Sequence, residues 1–124
     1  MKSMVAWSLA AGWAEQRALR LLQQQGWQLL SRNWRCRWGE LDLVLAKPQR
    51  LLVVEFKGRA SAGPDGCGVG ALRRPKRRRL QRSVLCWLVD HPGHADARVE
   101  LVAALVCLPP RRQPVRWISL SDWG

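Results

Sequence analysis

Between Gly39 and Lys57 the sequence alternates apolar and polar residues along two arms, with Lys47-Pro48-Gln49-Arg50 between them. A period of two bounded by Gly and Pro predicts a β-hairpin. Leu41, Leu43 and Leu45 are expected on one face with Leu52, Val54 and Phe56. Glu40 and Asp42 are expected on the other with Glu55 and Lys57. If the loop is 47–50, Ala46 faces Leu51, and counting outward sets Asp42 opposite Glu55 and Glu40 opposite Lys57. Cross-strand partners share a face, with Cβ atoms about 4.5–5.5 Å apart. The hairpin therefore gathers three carboxylates and one ammonium above an apolar underside.

That gathering is costly. Asp is depleted in strands, and two acids opposed across a ladder repel. Val44, Ala46, Leu51 and Val53 share the face, so it is not a plain solvent face. Two readings resolve the conflict. A hard divalent cation would take the carboxylate oxygens and complete its shell with water and substrate phosphates; Lys57 would then orient or activate a water, as phosphodiester hydrolysis needs. Alternatively, the acids form cross-strand salt bridges, Glu40 with Lys57 and Asp42 with an Arg.

The rest of the chain supplies a scaffold. Residues 3–25 predict a helix, with Leu9, Trp13, Ala14, Ala18, Leu21 and Leu22 at helical spacing and Gly26 as its stop. Glu15 lies beside that stripe; if it faces solvent, its i+4 neighbour Leu19 offers it no ion pair. Residues 27–38 read as a strand, with Trp34, Cys36 and Trp38 on one face and Asn33, Arg35 and Arg37 on the other. Alternate Trp residues usually pack, so Arg35 and Arg37 are better phosphate ligands than the indoles are base platforms. Residues 58–70 contain five glycines and form a loop directly after Lys57, either a cover for substrate or a connector. Residues 73–82 carry seven positive charges in ten and open a second helix, whose stripe is Leu80, Val84, Trp87 and Leu88. Cations at a helix N-terminus oppose its dipole, which points to phosphate binding rather than a merely solvated face. Residues 99–108 suit a strand buried on both faces, and 115–119 a short edge strand. The order α-β-β-β-α-β-β predicts an α/β fold, a mixed sheet with helices on its faces, in one domain spanning 1–124.

Charge narrows the partners. A net +12 on 124 residues is the electrostatic footprint of a polyanion, most simply nucleic acid. No basic amphipathic helix with a long apolar face suggests a membrane surface, and the apolar stretch 4–14 is too short to span one. Cys36, Cys67, Cys86 and Cys107 make no Cys-x-x-Cys pair, which argues against zinc. Cys86 and Cys107 sit in apolar runs and are expected as core thiols. A cytoplasmic protein with reduced thiols follows. His91 and His94 flank a turn without carboxylate or thiol neighbours at ligand spacing.

Asp42, the hairpin, then Glu55-Phe56-Lys57 resembles the Asp…(Asp/Glu)-x-Lys nuclease superfamily, which includes many restriction enzymes and Holliday-junction resolvases. Within it, the chain resembles the small, uncharacterised bacterial YraN-like proteins. The matching segments are Glu15-Gln16-Arg17-Ala18, Gly26-Trp27, Arg32-Asn33-Trp34-Arg35, Gly39-Glu40-Leu41-Asp42-Leu43-Val44, Val54-Glu55-Phe56-Lys57-Gly58-Arg59, and Lys76 with Arg79-Leu80. Ala14 stands where the family commonly has a Gly, and the loop after Lys57 is unusually Gly-rich. The resemblance implies a restriction-endonuclease-like α-β-β-β-α-β core and Mg²⁺ or Mn²⁺ held by Asp42 and Glu55. It implies catalytic roles for Lys57, Glu40 and Glu15, the last brought by the first helix.

The function this predicts is metal-dependent endonucleolytic hydrolysis of DNA, branched or single-stranded DNA included. Arg35, Arg37, Arg59, Lys76, Arg77 and Arg78 are the expected phosphate contacts. A resolvase acting on symmetric junctions would be a homodimer. Two alternatives belong to other classes: a non-catalytic nucleic-acid-binding module on a nuclease scaffold, and an accessory subunit docking on RNA.

Overall fold

In a computed structural model of the chain, residues 6–59, 74–107 and 115–120 are described, with side chains outside that description at 6–11, 13, 14, 57–59, 74–77, 106 and 107. The elements are α1 (Ala6–Gln24), β1 (Gln28–Cys36), β2 (Gly39–Lys47), β3 (Arg50–Arg59), α2 (Arg74–Asp90), β4 (Arg98–Cys107) and β5 (Arg116–Ser119). A single 3-10 turn, Pro92–His94, links α2 to β4. The five strands form one sheet in chain order, β1-β2-β3-β4-β5. All neighbours are antiparallel except β3 and β4, which run parallel with α2 as their crossover. This is the mixed α/β arrangement of a restriction-endonuclease-like core.

Local chemistry sets the ends of the elements. Gly26 adopts φ +94, which glycine reaches without a Cβ penalty. It ends α1 with the paired bonds of a Schellman cap: Gly26 N–H to the Gln23 carbonyl at 3.0 Å and Trp27 N–H to the Leu22 carbonyl at 3.1 Å. Trp27 and Leu22 then pack together in one core cluster, the apolar contact that accompanies such a cap. The hairpin turns on Pro48-Gln49: proline fixes its own φ and Gln49 takes φ +61, the combination of a type II turn. The register is the one the sequence predicts at the turn, with Lys47 paired to Arg50 and Ala46 to Leu51.

The sheet separates two cores. On one face α2 buries Leu80, Val84 and Trp87 against Leu41, Val44, Leu51, Val53, Leu101 and Leu105. On the other, Leu19 and Leu22 of α1 pack with Trp27 on Leu43, Leu45, Leu52, Val54 and Ala104. At about 25 cal/mol per Å² of apolar surface removed from water, these two layers are the main source of stability. No described helix is long and apolar enough to cross a membrane.

Two expectations need correction. On α1, Leu19 is buried and Leu21 is 39% exposed, the reverse of the expected stripe. The face toward the sheet therefore runs Ala18, Leu19, Leu22, and Glu15 stands three and four residues before its first members, on the stripe rather than beside it. On β2, Leu41 belongs to the α2 core whereas Leu43 and Leu45 belong to the α1 core, so the three leucines do not share a face.

Candidate active site

The face change on β2 has a matching irregularity on β1. Arg32 pairs with Leu43 and Trp34 with Leu41, leaving Asn33 at the level of Asp42. Asn33 adopts φ +52, a left-handed conformation that Asn tolerates better than most residues. Trp34, like Leu41, packs on the α2 core, while Arg32 bonds to Gln16 of α1 through Nη1 at 3.3 Å. Both strands thus exchange faces at one level. By alternation from Leu41, Glu40 falls on the α1 side, where Glu15 lies.

The hairpin arms part at the same level. The β2–β3 ladder ends at Leu43 with Val54, one pair short of the expected Asp42–Glu55 partnership. The Asp42 carboxylate instead stands in for the missing backbone acceptor: the Phe56 N–H donates to Oδ2 at 2.7 Å. Past Val54 the backbone ladder of β3 runs with β4, from Glu55 with Ala103 to Arg59 with Cys107. Asp42 is thereby half-buried in the mouth of the parted arms.

Four carboxylates influence one another there. Burial first, then the charge of Glu55, with smaller pushes from Glu15 and Glu40, together raise the Asp42 carboxyl to about 8 against the opposing Phe56 N–H. Glu15 is also raised, first by burial, with the Arg32 guanidinium opposing and Glu40 and Glu55 adding. The donor set is carboxylate oxygen throughout, which suits a hard divalent cation in kind. Among the described residues, however, no three or more His, Cys, Asp or Glu side chains are arranged to hold a metal ion. The acids share a field without forming a closed cage.

The other predicted site residues are dispersed. Glu40 is in an ion pair with Arg35, Nε to Oε2 at 2.8 Å, its neighbour on β1; the expected counterpart was Lys57. Arg35 is 67% exposed in its side chain, so its guanidinium reaches solvent while holding Glu40. Arg37 lies over the Trp38 ring at 4.9 Å, and Arg82 also lies over that ring at 4.6 Å. Arg78 is exposed near the start of α2. Lys57 and Arg59 lie on β3, and Lys76 and Arg77 in the first turn of α2; their side chains fall outside the described residues. The first turn of α2 contains no acid to balance its cations.

Arg32 was not singled out in the sequence, yet its guanidinium acts on Glu15 and favours the ionised carboxylate against burial. Nothing in the sequence marked it, because the left-handed backbone of Asn33 that turns Arg32 and Trp34 to opposite faces shows only in the structure. His91 has a structural part: its ring stacks on Trp87 at 3.8 Å, and its Nδ1 meets the Trp87 carbonyl at 2.7 Å, which requires Nδ1 to carry the proton.

A family model described as "Uncharacterised protein family UPF0102" matches residues 14–104, a span that includes Glu15, Glu40, Asp42, Glu55, Lys57 and Lys76. The chain is similar to a UPF0102 protein of Prochlorococcus marinus (strain MIT 9303), 54% identical over 110 residues, covering 89% of this chain and 87% of the relative. It is similar to another from Synechococcus sp. (strain CC9902), 51% identical over 109 residues and covering 88% and 90%. A UPF0102 protein of Nocardia farcinica (strain IFM 10152) is 37% identical over 102 residues, covering 82% and 78%.

Proposed function

Because this chain belongs to the UPF0102 family, itself uncharacterised, we propose its activity from the site: metal-dependent endonucleolytic hydrolysis of DNA phosphodiesters, branched or single-stranded DNA included. The observation that carries this reading is the convergence of Glu15 from α1, Glu40 and Asp42 from β2 and Glu55 from β3 at the parted end of a hairpin. Like charges collected at a half-buried spot are unstable without a cation or protons.

Asp42 and Glu55 are the residues assigned to Mg²⁺ or Mn²⁺. When bound, the cation would polarise the scissile phosphate and neutralise charge developing on its oxygens. Asp42 would hold the cation as a carboxylate, with Oδ2 kept in place by the Phe56 N–H. Lys57, two residues beyond Glu55 on the same strand, positions the attacking water. Glu40 and Glu15 assist from the α1 side, with Arg35 and Arg32 steadying their charges. Arg35, Arg37, Arg59, Lys76, Arg77 and Arg78 supply contacts to phosphates, which position the substrate without reading sequence. On a symmetric junction two copies of the chain would act together.

The test is a cleavage assay on labelled linear, single-stranded and four-way-junction DNA with Mg²⁺, Mn²⁺ or EDTA, beside Glu55→Ala. Metal-dependent cutting that falls at least about a hundredfold in the variant, with DNA binding kept, supports the reading. Loss of binding with retained cutting sinks the assignment of Glu55.

A second reading rests on one observation: Glu40 is already engaged by Arg35. On it, the domain is a non-catalytic nucleic-acid-binding module. Salt-sensitive binding to all three DNAs, with no cutting under any metal, would favour that module.

A further inference from the structure

Away from the acid site, the end of β1 and one face of α2 bring two cysteines together. Cys36 is the last residue of β1, two beyond Trp34 and therefore on the α2 face. Ser83 and Cys86 are three apart on α2 and so adjacent on its surface. Cys36 hydrogen-bonds to both, and both thiols are half-buried, which corrects the expectation of Cys86 as a core thiol.

The surroundings of Cys36 are those of an anion. The turn Arg37-Trp38-Gly39 curls back so that the N–H groups of Trp38 and Gly39 both donate to its sulfur. Gly39 has φ +145, a conformation natural only to glycine, so the turn depends on that residue. The Ser83 hydroxyl also donates to the sulfur, and Ser83 is 1% exposed. A buried hydroxyl needs a partner, and this one has the thiol. Burial works to raise Cys36, but Ser83, the two N–H groups and the Cys86 S–H outweigh it and set the thiol below its ordinary range. Cys86 is raised, by burial first and then by the neighbouring Cys36, with Arg37 and Asp90 acting on it in opposite senses. Of the two sulfurs, Cys36 is thus the readier to ionise.

Both open onto a surface cavity of about 470 Å³ whose walls include Trp34, Trp38, Leu85 and Val89. Arg35, Arg82 and Asp90 complete its lining, so the two sulfurs lie at a surface open to solvent, where a small oxidant can reach them.

We propose that Cys36 and Cys86 form a peroxide-reactive dithiol that closes reversibly to a disulfide joining β1 to α2. The Cys36 thiolate attacks one peroxide oxygen; an S–O bond forms as the O–O bond breaks, and the departing hydroxide takes a proton to become water. Cys86 loses its proton and its sulfur attacks the Cys36 sulfenic sulfur. The S–S bond forms, the S–O bond breaks, and the oxygen leaves as a second water. The two thiols are oxidised by two electrons, and one peroxide is reduced to two waters. Return to the dithiol needs a thiol reductant and proceeds by exchange.

The test uses the reduced full-length protein. It is treated with hydrogen peroxide, quenched with N-ethylmaleimide and mapped by mass spectrometry. The expected product is a Cys36–Cys86 linked peptide lighter by two hydrogens, which dithiothreitol reopens. In Cys86→Ser, Cys36 should stop at the sulfenic acid and be captured by dimedone. In the untreated protein, Cys36 should alkylate faster than Cys86. Linkage of any other pair, or oxidation of Cys36 no faster than that of Cys67 and Cys107 in the same sample, overturns the proposal without relying on a variant.

Discussion

The two ends of the β2–β3 hairpin handle charge in opposite ways. At the turn, Lys47 and Arg50 both have partners. Lys47 and Arg50 lie over the Trp27 ring at 4.8 and 5.0 Å, and Arg50 also pairs with Glu100 at 2.6 Å. The ladder there is complete to the last pair. At the open end the strands part, a side-chain carboxylate replaces a backbone acceptor, and acids from three elements raise the proton affinity of Asp42 and Glu15. The turn end is built to fold; the open end retains a conflict that folding alone would remove. A conflict kept beside a well-satisfied scaffold is what a binding or catalytic site looks like before its ligand arrives.

The largest effect that would sharpen this contrast concerns substrate. Replacing Arg77, Arg78 and Arg79 with Gln should weaken DNA binding and flatten its salt dependence, by roughly 0.9 in the log–log slope for each phosphate no longer neutralised. Titrations at several salt concentrations read this directly. An unchanged slope would place the phosphate-binding groups elsewhere than α2.

Next comes Asp42. The chain folded below about pH 8 holds a proton on Asp42 that the unfolded chain releases near its ordinary value of 3.8. Bound protons are then more numerous in the folded state, so this group's contribution to stability falls as pH rises from about 4 to 8. Asp42→Asn keeps an acceptor for Phe56 N–H but cannot ionise. It should match the wild type near pH 4, melt higher by pH 8, and lose any rise in Tm that Mg²⁺ or Mn²⁺ gives the wild type. Asp42→Ala leaves that N–H without its acceptor and should cost about 1–3 kcal/mol. Melting curves across pH decide; an Asn variant that is less stable at every pH would mean the carboxylate is structurally paired instead.

The smallest effect belongs to the turn. Arg50 and Glu100 are 43% and 34% exposed in their side chains, and exposed pairs contribute about 0–1 kcal/mol. Glu100→Gln should therefore cost less than about 1 kcal/mol by urea denaturation and leave cleavage unchanged. A loss of cleavage would break the separation between the two ends.

Much of this contrast was legible in the sequence, but unevenly. The hairpin register could be read because period-two alternation and one Pro-containing turn leave few alternatives. The order of elements along the chain followed from the alternation of segments, and the stop of α1 from Gly26. The face exchange at Asn33 and Asp42 could not be read: nothing in Arg32-Asn33-Trp34 announces a left-handed residue within a strand, and ideal alternation assigns Leu41 the wrong core. The α1 stripe was ambiguous because residues 18, 19, 21 and 22 are all apolar and fit two faces offset by about one position. The Arg35–Glu40 pair depends on a cross-strand register rather than on helical spacing. Cys36 and Cys86 meet only because α2 crosses the end of β1, a juxtaposition that their separation along the chain conceals.

The parallel pairing of β3 with β4 has a consequence for how the molecule assembles. Arg50 pairs with Arg98, and so on to Arg59 with Cys107, each partnership spanning forty-eight positions of chain. A two-residue turn lets the β2–β3 hairpin close in about 1–10 μs, whereas partners so far apart must first overcome the entropy of a long loop. The portion of β3 bearing Glu55 and Lys57 extends beyond the last residue paired with β2. On a ribosome adding about 5–20 residues per second, the hairpin turn would be in place seconds before β4 emerges to register the acid-bearing half. The scaffold is then an early product of folding and the acid-bearing end a late one.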